Sequence, residues 1–195
     1  MLKLRLFIAI PLPDNLLDNI IKCQNSLKTE KALSNSGARF TSRENLHITV
    51  LFLGYLEEKS VDQLLEIIRQ TTNRVSPFSL TPVNFTFASP GAPPRMVWLN
   101  FQKNDEYNWL YRNLSRPVKD FFNKSQQKFD YEKREKLIHV TAARFKSPPV
   151  KNETDKIKLP AISHEEFLCR EIILYKSILK KEGAQYVQIS RFNLT

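Results

Sequence analysis

Histidine and cysteine are both scarce in this chain, with three and two copies among 195 residues. Cys23 and Cys169 are too few for a disulfide framework, and they lack the Cys-x-x-Cys spacing of a metal site. They read as buried, reduced thiols, which points to the cytoplasm. Long apolar runs are also missing, so no window is suited to crossing a membrane as a helix. The opening "MLKLRLFIAIPLP" is apolar only from Leu6 to Ile10, stops at Pro11 and has no small-residue cleavage site, so it does not read as a signal peptide. Negative charge is in deficit. Against 20 Asp and Glu stand 30 Lys and Arg, a net charge of +10 and a pI near 9.6. That excess favours an anionic partner, most commonly nucleic acid, although charge alone leaves membranes and phosphorylated metabolites open. Apolar content of 42% and charged content of 26% are ordinary for a globular fold, and the length suits one domain or two small lobes sharing a core.

Periodicity supplies the elements. Leu2, Leu4, Leu6, Ile8 and Ile10 alternate as in a strand. Asp14 then stands as a fair N-cap for a helix carrying Leu16, Leu17, Ile20, Ile21 and Leu27. "NLHITVLFLG" (45–54) reads as a strand stopped at Gly54. A helix follows from about Ser60, with Val61, Leu64, Leu65 and Ile68 on one face. "FSLTPVNFTFA" reads as one strand with Pro82 at an edge or bulge, and "SPGAPPR" (89–95) as a hinge. The order then repeats. "MVWLNF" (96–101) is a strand, 105–124 is helical with Pro117 as a kink or break, "QQKFDYEKREK" is a charged connection and "LIHVTAARF" is a strand. From Leu2 to His47 is 45 positions, and from Met96 to His139 is 43. "EFLCREIILYKSIL" and "AQYVQISRFNL" close the chain as a hairpin joined at "KKEG".

Both repeats end on the same tripeptide pattern, His47-Ile48-Thr49 and His139-Val140-Thr141. On a strand, residues two apart share a face, roughly 6.6 Å apart. Leu46, Ile48, Val50 and Phe52 should therefore pack inward while His47 and Thr49 share the other face, and Ile138, Val140 and Ala142 should oppose His139 and Thr141. With ten threonines in the chain, two of three histidines would meet a threonine two residues on by chance in roughly 1% of such compositions. A pair of imidazoles and a pair of hydroxyls in one cleft suits phosphoryl chemistry. One neutral imidazole can take a proton from water while a protonated one gives a proton to the leaving oxygen. The hydroxyls can donate to phosphate oxygens.

"HITV" and "HVTA" match the H-x-T-x signature of the two-histidine phosphoesterases. With "RLFIAIPLP" (5–13), "RFTSRENLHITVLFLG" (39–54), "HVTAARF" (139–145) and "LYKSILKKEGAQYVQISRFNL" (174–194), the chain resembles the RNA 2',3'-cyclic phosphodiesterase branch, the bacterial 2'-5' RNA ligase or LigT-like family. The resemblance spans nearly the whole chain. It implies an α+β, bilobal fold, with two pseudo-symmetric sheet-plus-helix lobes around a central cleft. The first His-x-Thr unit would cover about 1–90 and the second about 95–195 of a single domain. It also implies metal-independent opening of a terminal 2',3'-cyclic phosphate to a 2'-phosphate, with no cofactor, by a monomer acting on RNA such as tRNA fragments. His47 would be the general acid toward the 3' oxygen and His139 the base toward water. Thr49, Thr141 and Arg144 would bind substrate.

Arg144 poses a difficulty, because an odd offset from His139 puts it on the opposite face of an ideal strand. The strand must end or bulge before it, or the side chain must reach round an edge. Position 52, at the same offset in the first copy, is Phe. Arg39, Phe40 and Arg43 are candidates to line an RNA path or to pack at the core edge. His164 reads as a surface residue, and the two motifs offer no zinc ligand set. Three readings stay open beside hydrolysis of a terminal cyclic phosphate: 2'-5' phosphodiesterase or ligase activity at the same site, action on a small cyclic nucleotide, and a non-catalytic RNA-binding module.

Overall fold

The alternation at the start of the chain is realised as strand β1 (Lys3–Pro11), followed by helices α1 (Asp14–Leu27) and α2 (Lys31–Asn35) and strands β2 (Arg39–Phe40) and β3 (His47–Glu57). This computed structural model describes residues 2–88, 93–124, 129, 136–149, 154–180 and 183–195. Beyond β3 come α3 (Val61–Thr72), β4 (Phe78–Leu80), β5 (Pro82–Ala88), β6 (Met96–Phe101), α4 (Asp105–Lys124), β7 (His139–Arg144), β8 (Phe167–Cys169), β9 (Glu171–Lys180) and β10 (Gly183–Asn193). No described helix is long and apolar enough to cross a membrane.

The main sheet runs β10-β9-β1-β3-β7-β6-β5, with β2 also paired to β7. The unit strand–helix–His-x-Thr strand appears as β1–α1–β3 and again as β6–α4–β7. The sheet nevertheless draws each of its sides from both halves of the chain. β9 and β10 lie beside β1, while β5 lies beside β6. A boundary near residues 90–95 therefore divides the sequence repeat but not the sheet.

Helices cover one sheet face, because their apolar residues recur at helical spacing. Leu16, Ile20 and Leu27 of α1 are buried, as are Leu64 and Ile68 of α3 and Leu110, Leu114, Val118 and Phe122 of α4. Helices α1 and α4 also reach across to the other repeat's motif strand, α1 to β7 and α4 to β3.

Several expectations need correction. Asp14 is the first helical residue, and Pro13 holds the N-cap position. Gly54 does not stop its strand, because β3 continues to Glu57. Gly54 instead takes φ 72° beside an extra residue, Leu53, in the register with β1. That backbone conformation suits glycine. "FSLTPVNFTFA" is two strands broken at Thr81: β4 pairs with β8 in a separate small sheet, and β5 pairs with β6. Pro82 opens the outermost strand next to a register shift, a position that needs no amide donor. "EFLCREIILYKSIL" breaks at Arg170 for the same reason, giving β8 to the small sheet and β9 to the main one. Helix α4 runs unbroken through Pro117. Burial of Leu114, Val118, Phe121 and Phe122 around it outweighs the proline penalty of about 3 kcal/mol. Within the 89–95 hinge only 93–95 are described, and within the charged connection only 129 and 136; the rest of both lies outside the described residues.

Candidate active site

Strands β3 and β7 run antiparallel and meet through Ile48 opposite Val140. Both residues are fully buried. Their neighbours in each chain therefore point the other way, and His47, Thr49, His139 and Thr141 line a single cleft of roughly 730 Å³.

The two imidazoles are held alike. His47 Nδ1 donates to the Asn45 carbonyl at 2.7 Å, and His139 Nδ1 donates to the Leu137 carbonyl at 3.0 Å. A carbonyl can only accept, so each neutral ring carries its proton on Nδ1 and keeps an Nε2 lone pair. His47 Nε2 lies 3.0 Å from Thr49 Oγ1, whose hydroxyl donates to it in the neutral state. Aromatic rings clamp both imidazoles. Trp98 stacks on His139 at 3.9 Å between centroids, while Phe7 lies 5.0 Å from His47 and Tyr186 meets it edge-on at 5.3 Å. Burial pushes the His47 pKa down to about 4; the Asn45 bond opposes this, and the positive charges of Arg144 and His139 add to it. His139 is also lowered, first by burial and then by Lys136 and Arg144, against its bond to Leu137. Both rings are therefore neutral near pH 7 while the cleft holds no anion.

A bulge resolves the position of Arg144. Against β6, Val97 faces Ala143 but Trp98 faces Thr141, which leaves Ala142 as an extra residue in β7. Ala142 and Ala143 are consecutively buried, and the alternation resumes with Arg144 on the cleft side. The first motif does the same. Ile8 faces Leu51 and Ala9 faces Thr49, so Val50 is extra. Phe52, expected in the core, is thereby turned into the cleft and is 54% exposed. Both bulges fall at the fourth motif position, Val50 and Ala142.

Each motif strand is braced by the helix of the other repeat. From α1, the buried Gln24 donates through Nε2 to the carbonyls of Ala142 (2.8 Å) and Thr41 (2.9 Å). The Tyr107 hydroxyl of α4 donates to the Thr49 carbonyl at 3.0 Å, and burial keeps that phenol protonated by raising its pKa. The Thr41 hydroxyl adds a bond to the Thr141 carbonyl at 2.7 Å.

Other candidates lie elsewhere. Arg43 is taken up by Asp14 and Asp18, and Phe40 packs against the core. Arg39 sits opposite Arg144 on β2, outside the cleft lining. His164 is exposed and donates to the Pro82 carbonyl. Among the described residues, no three His, Cys, Asp or Glu side chains cluster as metal ligands.

The model of the LigT-like phosphoesterase family matches residues 10–98. An RNA 2',3'-cyclic phosphodiesterase of Methanocaldococcus jannaschii is 28% identical over 97% of this chain and 100% of its own length. One from Thermotoga maritima is 29% identical over 94% and 91%. The chain is thus similar to the LigT-like phosphoesterases over residues 10–98, and to these two relatives over nearly its whole length. A crystal structure from Thermus thermophilus shares the fold, with TM-score 0.81, 21% identity and 97% of each chain covered. Sequence reasoning did not reach Arg5, Phe7, Trp98 or Tyr186, because each enters the cleft from a strand distant in sequence from both motifs. Only the match of "RLFIAIPLP" to a family landmark hinted at Arg5 and Phe7.

Proposed function

We propose that this protein hydrolyses the 2',3'-cyclic phosphate at an RNA end to a 2'-phosphomonoester, without a metal ion or cofactor. The observation that carries this reading is the pair of Nδ1-anchored imidazoles turned into one cleft with Thr49, Thr141 and Arg144. The described relatives carry that activity in their names.

The cyclic phosphate would sit between the two Nε2 atoms, its free oxygens accepting from the Thr49 and Thr141 hydroxyls and from Arg144. His139 Nε2 makes no protein hydrogen bond among the described residues, so it is placed to take a proton from the attacking water. Water oxygen bonds to phosphorus as the bond to O3' breaks, and the departing 3' oxygen receives its proton from His47. His47 must first exchange its Thr49 contact for the substrate. It must also gain a proton, which the phosphate's negative charge favours by offsetting Arg144. Each proton transfer is typically worth on the order of 10²–10⁴ in rate. The net charge of +10 suits an RNA chain such as a tRNA fragment, and the two buried free thiols suit a reducing compartment such as the cytoplasm, where the chain would act as a monomer.

The test is a short RNA ending in 2',3'-cyclic phosphate, incubated with the protein and excess EDTA, with the product resolved by phosphorus NMR. The expected product is the 2'-phosphate. A 3'-phosphate product, or activity abolished by EDTA and restored by zinc or manganese, overturns the reading.

A further inference from the structure

We propose that Arg5 forms a second anion subsite in the cleft, for the phosphodiester preceding the terminal nucleotide, so that the enzyme reads an RNA chain rather than a cyclic mononucleotide. This rests on the RNA-end reading above.

Arg5 is the third residue of β1 and lines the same cleft as the histidines. Its guanidinium donates to Ser177 Oγ at 3.0 Å. No carboxylate lies within ion-pair distance among the described residues, whereas Arg69 and Arg191 each hold one and Arg43 holds two. A guanidinium offers five N–H donors, so most remain for an anion. Ser177 is buried; its oxygen accepts from Arg5, which leaves its own hydrogen to donate. A cation half-withdrawn from water without a counter-charge is costly, and a bound anion relieves that cost.

Aromatic residues flank the cation. Tyr55 stands opposite Arg5 on β3 and is 58% exposed. Tyr186 stands opposite Ser177 on β10. Such a row of rings around a cation is what single-stranded nucleic acid uses for base stacking beside its backbone. Arg5 lies four residues along β1 from Ala9, the residue facing Thr49, or roughly 13 Å at strand spacing. The Arg5 backbone is thus offset along the cleft from the motif residues, in a direction that a preceding nucleotide would take. A cyclic mononucleotide has no second phosphate to place there.

The experiment compares wild type, R5Q and R5K on 2',3'-cyclic AMP and on a trinucleotide ending in 2',3'-cyclic phosphate, with thermal melts to verify folding. R5Q should lose kcat/KM about tenfold more on the trinucleotide than on the mononucleotide, mainly through KM. In parallel, binding of a fluorescent hexanucleotide ending in 2'-phosphate is measured against salt. R5Q should flatten the log–log slope by about 0.7, the value of one lost phosphate contact on a single strand. R5K should keep the slope and weaken only the longer ligands. Equal losses on both substrates, or an R5Q slope equal to wild type, would overturn the subsite. If R5Q does not fold, the R5K comparison decides: equal effects on short and long ligands overturn it. If wild type hydrolyses neither substrate, the RNA-end reading fails on its own, and the binding slopes still decide the subsite.

Discussion

Ile48 faces Val140 across the seam between β3 and β7, the one register pair joining the two motif strands among the described residues. These are the middle residues of the two His-x-Thr motifs. The antiparallel register sets each histidine directly across from the other motif's threonine and makes the cleft pseudo-symmetric. His47→Ala and His139→Ala should therefore each lose at least about 10²-fold in turnover while keeping the wild-type fold. The double variant should lose little more than the worse single one, because one proton relay is broken either way. Kinetics on a cyclic-phosphate RNA with circular dichroism check this, and near wild-type activity in either single variant sinks the assignment.

The assignment of acid and base has its own test. Raising pH strips the acid and lowering it protonates the base, so the rate should peak between two limbs that belong to the pair. A nitrophenyl phosphodiester, whose leaving group is stable as an anion, needs no acid. His47→Ala should recover preferentially on that substrate, with its alkaline limb flattened. Recovery of His139→Ala instead would exchange the roles.

Folding stability should track the same imidazoles. The His47 pKa is pushed down to about 4 in the folded protein, while an unfolded histidine titrates near 6.5. Between those values the unfolded chain binds more protons, so stability is full above about pH 6.5 and falls as pH drops toward about 4. The lowered pKa of His139 acts in the same direction. Urea midpoints measured from about pH 7 to about pH 4.5 should fall less steeply in His47→Asn than in the wild type. An unchanged slope would show that His47 is not desolvated.

Anion binding should carry protons with it. A 2'-phosphate product placed between two neutral imidazoles favours their charged forms. Calorimetry near pH 7, in buffers of different ionisation enthalpy, should register net proton uptake on binding. Uptake should diminish in His47→Ala. No buffer dependence in the wild type would contradict the neutral resting state.

The bulge at Ala142 depends on Gln24, which donates to two carbonyls beside it. Gln24→Leu removes both bonds at nearly constant volume and should cost about 1–3 kcal/mol, a drop of several degrees in melting temperature. Turnover should fall further than stability predicts, because Arg144 loses its aim. The readout is a raised KM with wild-type pH limbs. A Gln24→Leu variant that is destabilised but kinetically normal would reduce Gln24 to a packing residue.

The local pattern was sufficient to determine the motif strands, the long helices and the four motif residues that share the cleft. His47, Thr49, His139 and Thr141 share a face because strand alternation has a period of two, and that requires nothing beyond each strand itself. Where strands break or bulge is not local. Val50 and Ala142 are extra only relative to their partners β1 and β6, so the placement of Phe52 and Arg144 came from tertiary pairing. "FSLTPVNFTFA" and "EFLCREIILYKSIL" each read as continuous strands, yet both divide because their short halves pair with each other in a second sheet. Pro117 signals a break by its own chemistry, and the packing around α4 overrides it. Arg5, Tyr186 and Trp98 enter the cleft from β1, β10 and β6, which come together only in the order of the assembled sheet. Alternation along one strand fixes which way a side chain points, but only the docking of strands decides what it points at.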